Sequence, residues 1–199
     1  ELTLAIDSDA NYLPAYSAYG SLLVARKDIN AAIEQYQKVI SISPSAPVYT
    51  LLGILEDARG GAAEAETYYR KALEIDPDSL IAANNLAWLI VETHGNLDEA
   101  LQLATLAVAK NQEVAGFYDP LGYVYLKKGL FSPAVEQFRK AVALDEKGGS
   151  DKNPGYRIVH DNLSDMKQVT TGAGTYRKGA WTLHMLRGVV GDEAFWRGI

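Results

Sequence analysis

The fold is decided by residues 48–77, VYTLLGILEDARGGAAEAETYYRKALEIDP. Its diagnostic positions are small Gly53, then Ala65, Tyr69 and Ala72, and finally Pro77. The same order returns upstream in AYSAYGSLLVARKDINAAIEQYQKVISISP, with Gly20, Ala32, Tyr36, Val39 and Pro44. Downstream, ANNLAWLIVETHGNLDEALQLATLAVA gives Ala87, Ala100, Ala104 and Ala107. YDPLGYVYLKKGLFSPAVEQFRKAVALD gives Gly122, Ala134, Phe138 and Ala141. The anchors Gly20, Gly53, Ala87 and Gly122 stand 33, 34 and 35 residues apart. A period of that length marks a supersecondary unit that buries its apolar face against copies of itself.

Glycine inside a helix costs about 1 kcal/mol relative to alanine, so its return at one phase needs a packing reason. Close approach between two paired helices supplies one, because a larger side chain there would overpack the crossing by about 1–3 kcal/mol. Alanines of each second helix, such as Ala65 and Ala72, are expected to present the facing small surface. Pro44 and Pro77 stop the second helices, and Asp76-Pro77-Asp78 is read as a turn. The third copy carries one extra residue around THGN and lacks the closing proline. The fourth has Pro120 inside its first helix, so a late start is expected, with Asp119 as N-cap and Pro120 as the first helical residue. ELTLAID matches the end of a second helix (KALEID, 71–76), so a truncated copy leads the array. The native N-terminus is therefore expected upstream or removed.

These spacings and residues resemble the tetratricopeptide repeat, with its W-x2-L-G-x2-Y, A-x3-F and closing proline, over about residues 1–147. The resemblance implies an all-α fold: a right-handed superhelical solenoid of antiparallel helix pairs with C-terminal capping helices. It divides the chain into a partial repeat at 1–12 and repeats at 13–45, 46–79, 80–114 and 115–147. In this family the first helix of each repeat lines a concave groove. Carried over by position, the groove residues are Ser17, Ser21, Thr50, Ile54, Asn84, Trp88, Asp119, Tyr123 and Lys127. Trp88 and Tyr123 are equivalent residues of successive repeats, which makes an aromatic floor with polar edges. Ile54, Asn84, Trp88, Asp119, Tyr123 and Lys127 are accordingly the candidate partner-binding set. The alternative is that Trp88 and Tyr123 pack between neighbouring helices. Nothing matches the basic-and-asparagine clamp for a terminal carboxylate used by chaperone-binding members; Ser17 and Ser21 stand where it would begin.

The bulk composition fits an ordered protein, with 48 % hydrophobic and 22 % charged residues. A net charge of −6 argues against nucleic acid, which calls for a basic stripe. Without cysteine there is neither a disulfide framework nor a thiolate metal site. The longest apolar run, Leu86–Val91, is far short of the ~20 residues that span a bilayer. Bacterial cytoplasm, periplasm and cell exterior are all compatible.

After the array comes GGSDKNPG, a turn-rich linker at 148–155. Ile158, Val159, Leu163 and Met166 then form an apolar stripe near helical period, read as a capping helix over 156–170. The tail, 171–199, contains TYRKGAWTLHMLRGVVGDEAFW at 175–196. It resembles a helix of aminopeptidase N-type zinc metallopeptidases through Tyr176, Lys178-Gly179-Ala180, Leu183 to Arg187 and Gly191 to Phe195. In that family the tyrosine matching Tyr176 helps stabilise an oxyanion. The family also needs H-E-x-x-H and a distant glutamate. His94, His160 and His184 are not paired at that spacing, so no catalytic residue, metal or cofactor is assigned. Trp181, Leu183, Leu186 and Val190 give the tail an apolar surface for docking on its own array, on a neighbour, or in a larger domain.

Three functions are compatible with this reading. A non-catalytic scaffold presenting its groove to a protein or peptide ranks first. A head-to-tail assembly of the chain with further copies of itself follows, and a fragment of a larger metallopeptidase comes last.

Overall fold

The computed structural model describes residues 13–148. The partial repeat at 1–12, residues 149–155 of the linker, the capping helix at 156–170 and the tail at 171–199 lie outside the described residues. Regular structure among the described residues is entirely helical: α1 Leu13–Ala25, α2 Ile29–Ile42, α3 Ala46–Ala58, α4 Ala62–Ile75, α5 Leu80–Glu92, α6 Leu97–Lys110, α7 Tyr118–Lys127 and α8 Phe131–Gly148. α8 runs through Gly148, the first residue of the expected linker. The described residues divide into two compact units, with the boundary between residues 82 and 83, inside α5.

In the first unit α1 packs on α2, α2 on α3, and α3 on α4. Its core gathers Tyr16, Leu23, Ile33, Tyr36, Val39, Leu52 and Leu55. The glycine anchors lie at helix crossings, but their partners are not the alanines expected. A Cβ on Gly20 would stand 2.7 Å from Cζ of Tyr36, and one on Gly53 would stand 2.5 Å from Cε1 of Tyr69. Ala65 and Ala72 are fully buried, yet it is the aromatic ring of the second helix that leaves no room for a side chain on the first. In the second unit, where α7 packs on α8, Gly122 meets the Phe138 ring in the same way, at 2.5 Å. The third copy replaces the ring by Ala104 and the glycine by Ala87, both fully buried.

All four first helices end alike. Asp28 N donates to Leu23 O at 3.0 Å, Gly61 N to Glu56 O at 2.8 Å, Gly95 N to Ile90 O at 2.8 Å, and Leu130 N to Tyr125 O at 2.9 Å. This is the Schellman closure, which requires the preceding residue in the left-handed region. Gly60 (φ 88°) and Gly129 (φ 74°) meet that demand freely, whereas Lys27 (φ 63°) and His94 (φ 57°) do so under strain. Lys27→Gly and His94→Gly should therefore each stabilise the chain by about 0.5–1 kcal/mol, and Gly60→Ala should cost about as much. Urea or thermal melts check both signs.

The second helices stop before the prolines, as expected: α2 ends at Ile42 and α4 at Ile75, with Ser43 and Asp76 extended. Asp78 N donates to Asp76 Oδ1 at 3.0 Å, which fixes the turn. Asn111 does the same job without a proline, accepting from Glu113 N at 3.2 Å. At their starts, Asp28 caps α2 through Ala31 N, and Asn96 caps α6 through the N–H groups of Asp98 and Glu99.

The fourth copy departs from expectation. A 3₁₀ turn, Ala115–Phe117, runs straight into α7, which begins at Tyr118. Asp119 therefore lies inside the first turn, buried, and is not the cap; Pro120 follows it there. Proline is tolerated throughout the first turn because those N–H groups have no intrahelical acceptor, so a helix can begin before it.

Candidate functional site

Of the nine positions carried over, Ser17, Ser21 and Thr50 take part in internal hydrogen bonds of the first unit. Ser21 Oγ donates to Ser17 O at 2.9 Å and shares a 3.1 Å hydrogen bond with Tyr36 OH. Thr50 Oγ1 donates to Ala46 O at 2.8 Å and is buried. Ile54 is 6 % exposed in the first unit and offers little to a partner.

The other five share the second unit. Asn84 and Trp88 lie one turn apart on α5, and Asp119, Tyr123 and Lys127 lie on successive turns of α7. That i, i+4 spacing puts each set on one helix face. The Trp88 and Tyr123 rings stack with centroids 4.9 Å apart and planes tilted by 28°. Such a pair contributes about 0.5–1.5 kcal/mol beyond the area it buries. Both rings are only partly buried, and Tyr123 also packs on the Ala134 and Phe138 cluster. The pair thus joins helices and keeps part of its surface open to solvent. Lys127 is exposed and holds its Nζ 5.2 Å from the centre of the Tyr123 ring, a contact of about 0.5–1 kcal/mol at such a site.

Asn84 and Asp119 occupy equivalent positions and are 4 % and 2 % exposed. Asn84 Nδ2 donates to Asn85 Oδ1 at 3.4 Å, while Asn84 Oδ1 is buried with no hydrogen-bond partner. Trp88, Tyr123 and Lys127 are thus the more exposed members of the set, and the two polar residues are buried. Among the described residues no cluster of three or more His, Asp or Glu could hold a metal ion. No helix among them is long and apolar enough to cross a membrane.

The sequence reading missed a second aromatic group, in the first unit. Tyr49 and Tyr68 lie 6.2 Å apart, and Lys71 Nζ sits 5.7 and 5.9 Å from their centres. Tyr68 OH accepts from Gln37 Nε2 at 3.1 Å. Its signal was present as a Tyr–Lys pair 22 residues apart, repeated by Tyr16 and Lys38, whose Nζ lies 6.0 Å from the ring centre. The Lys71 clasp joins α3 to α4 within one hairpin, and the Gln37–Tyr68 hydrogen bond ties that hairpin to the one before it. Arg59 Nη1 adds another tie to Asn30 Oδ1 at 3.2 Å.

With this geometry in hand, comparison with known proteins gives a consistent answer. Family models described as Tetratricopeptide repeat match residues 13–45, 46–79 and 115–147, and a further one matches 68–102. The chain belongs to the tetratricopeptide repeat family. Among curated relatives of this repeat protein, the Protein STIP1 homolog of Dictyostelium discoideum is 32 % identical over 97 residues, 45 % of this chain and 17 % of its own length. The chain thus spans less than a fifth of that relative. Among solved structures, MamA superposes with a TM-score of 0.65 at 22 % identity, over 73 % of this chain and 85 % of that one. YrrB, described as a TPR protein with an unusual peptide-binding site, gives 0.62 at 20 % identity, over 73 % and 75 %. At these identities both structures speak for the tetratricopeptide fold alone. The family matches end at residue 147, and none of these matches supports the metallopeptidase resemblance expected at 175–196.

Proposed function

We propose that this repeat protein is a non-catalytic interaction scaffold whose second unit docks a peptide or helix of another protein on Trp88, Tyr123 and Lys127. The carrying observation is the stacked, partly open ring pair with a cation above it. Rigid aromatic surface beside a charge is what binding hot spots are made of, because little side-chain entropy is lost on contact. Asn84 and Asp119 are buried one turn before the rings on the same helix faces, and the peptide-binding site of the structural neighbour YrrB is in keeping with this use of the fold.

The test is selection of 12-residue peptides displayed on phage against the full chain, with Trp88→Ala selected in parallel. Enriched sequences that bind the parent and lose binding to Trp88→Ala support the reading. Enrichment that is indifferent to Trp88, or no enrichment at all, contradicts it.

A different observation favours self-assembly as a second reading. Leu130 and Phe131, at the turn that opens α8, are 44 % and 42 % exposed. A head-to-tail contact seated there need not close and can extend into a fibre. Light scattering over a concentration series decides: growth that Phe131→Ser abolishes supports it, and a constant monomer mass rules it out.

A further inference from the structure

Resting on the docking reading above, we infer that the partner of the Trp88–Tyr123 surface is a peptide segment carrying an aspartate or glutamate within one turn of an apolar side chain. The charge pattern around the rings carries this. Lys128 is held by Asp98 Oδ1 at 2.5 Å, and Lys140 by Glu136 Oε1 at 2.8 Å. Lys71 is clasped between Tyr49 and Tyr68. Lys127 Nζ lies over the Tyr123 ring and pairs with no carboxylate of the described residues. This occurs in a chain with 25 acidic against 19 basic side chains, where an acid for each base is in good supply. The nearest acid along its own helix face, Asp119, is 2 % exposed two turns away.

An ammonium resting on a ring face offers its remaining N–H donors to the outer side. A carboxylate arriving from solvent would complete it, forming a charge-assisted hydrogen bond next to low-dielectric aromatic surface. Tyr123 and Lys127 are four residues apart on one helix, hence about 5–6 Å between Cβ atoms. An apolar group seated on the rings therefore has its acidic companion within about one helical turn, or at the adjacent extended positions. Complementarity of charge, with an apolar anchor beside it, selects this class over a basic or purely apolar segment.

The experiment compares phage-displayed 12-residue peptides selected on the full chain and on its Lys127→Glu variant, which alters an exposed side chain. Melting curves of both confirm that they are folded. On the parent, enriched peptides should show an Asp or Glu within four positions of a Leu, Phe or Trp. On Lys127→Glu the companion residue should change to Lys or Arg. A synthetic peptide from the parent pool, labelled with fluorescein, should weaken about 5–20-fold on Lys127→Ala. On the parent it should lose several-fold in affinity between 50 and 500 mM salt, a loss that Lys127→Ala removes. Peptides that need Trp88 but show no acidic preference would overturn the inference while sparing the docking reading. Identical pools on parent and Lys127→Glu, polyglutamate binding that survives Trp88→Ala, or no enrichment at all would overturn the inference as well.

Discussion

Replacing Gly53 by alanine should destabilise the protein by about 1–3 kcal/mol, the cost of overpacking a filled crossing. The same replacement in an unobstructed helix gains up to about 1 kcal/mol, so the sign alone reports the packing. The cause is local. The new Cβ would lie 2.5 and 2.6 Å from Cε1 and Cδ1 of Tyr69, whose ring is fully buried and has nowhere to retreat. Tyr69→Ala by itself should cost about 3–5 kcal/mol through the cavity it leaves. In that background Gly53→Ala should become neutral or favourable, because the atoms it would strike are gone. The double-mutant cycle then returns a coupling of about 2 kcal/mol, opposite in direction to the single losses. The third repeat is the natural version of the double replacement, with Ala87 and Ala104 where its neighbours place glycine and a ring. Urea melts of the four proteins measure the coupling, and additive losses would mean that the ring does not select the glycine.

Trp88→Ala carries the second large effect, on recognition. Removing an aromatic anchor from the centre of a docking surface typically costs 2 kcal/mol or more, about 30-fold in affinity. The truncation also ends the 4.9 Å stack with Tyr123, so some global stability is lost with it. Trp88→Phe separates the two contributions. It keeps a ring for the stack and should retain most of the stability, while the smaller face gives up part of the affinity. Titration of a selected peptide into each variant, with a melt of each protein, reads both quantities. Full affinity in folded Trp88→Ala would remove Trp88 from the site.

The hairpins were legible because two demands coincide in the sequence. A costly glycine in one helix and a ring sixteen residues later in the next mark the same crossing, as at Gly20 with Tyr36 and Gly122 with Phe138. The pairing itself was misread: alanines stood out as small and buried, yet the glycines face rings. Residue type also did not advertise the left-handed turns at Lys27 and His94, where backbone closure imposes a conformation that neither side chain prefers. The start of α7 was placed two residues late, since Pro120 restricts a helix interior but not its first turn.

The candidate site was legible in register, and its exposure only in part. Position in the repeat put Trp88 beside Tyr123, and the rings do stack. It also named Ile54, Asn84 and Asp119, which are buried, since one helix face serves both packing and presentation. How open a given turn is depends on the neighbouring hairpin, which periodicity does not weigh.

The most direct measurement is a nitrogen–proton NMR titration of the full chain with one selected peptide. The account predicts that the Trp88 indole signal and the amides of α5 from residue 84 and of α7 shift together along a single saturating curve. Shifts confined to other helices, with the Trp88 indole unmoved at saturation, would contradict it.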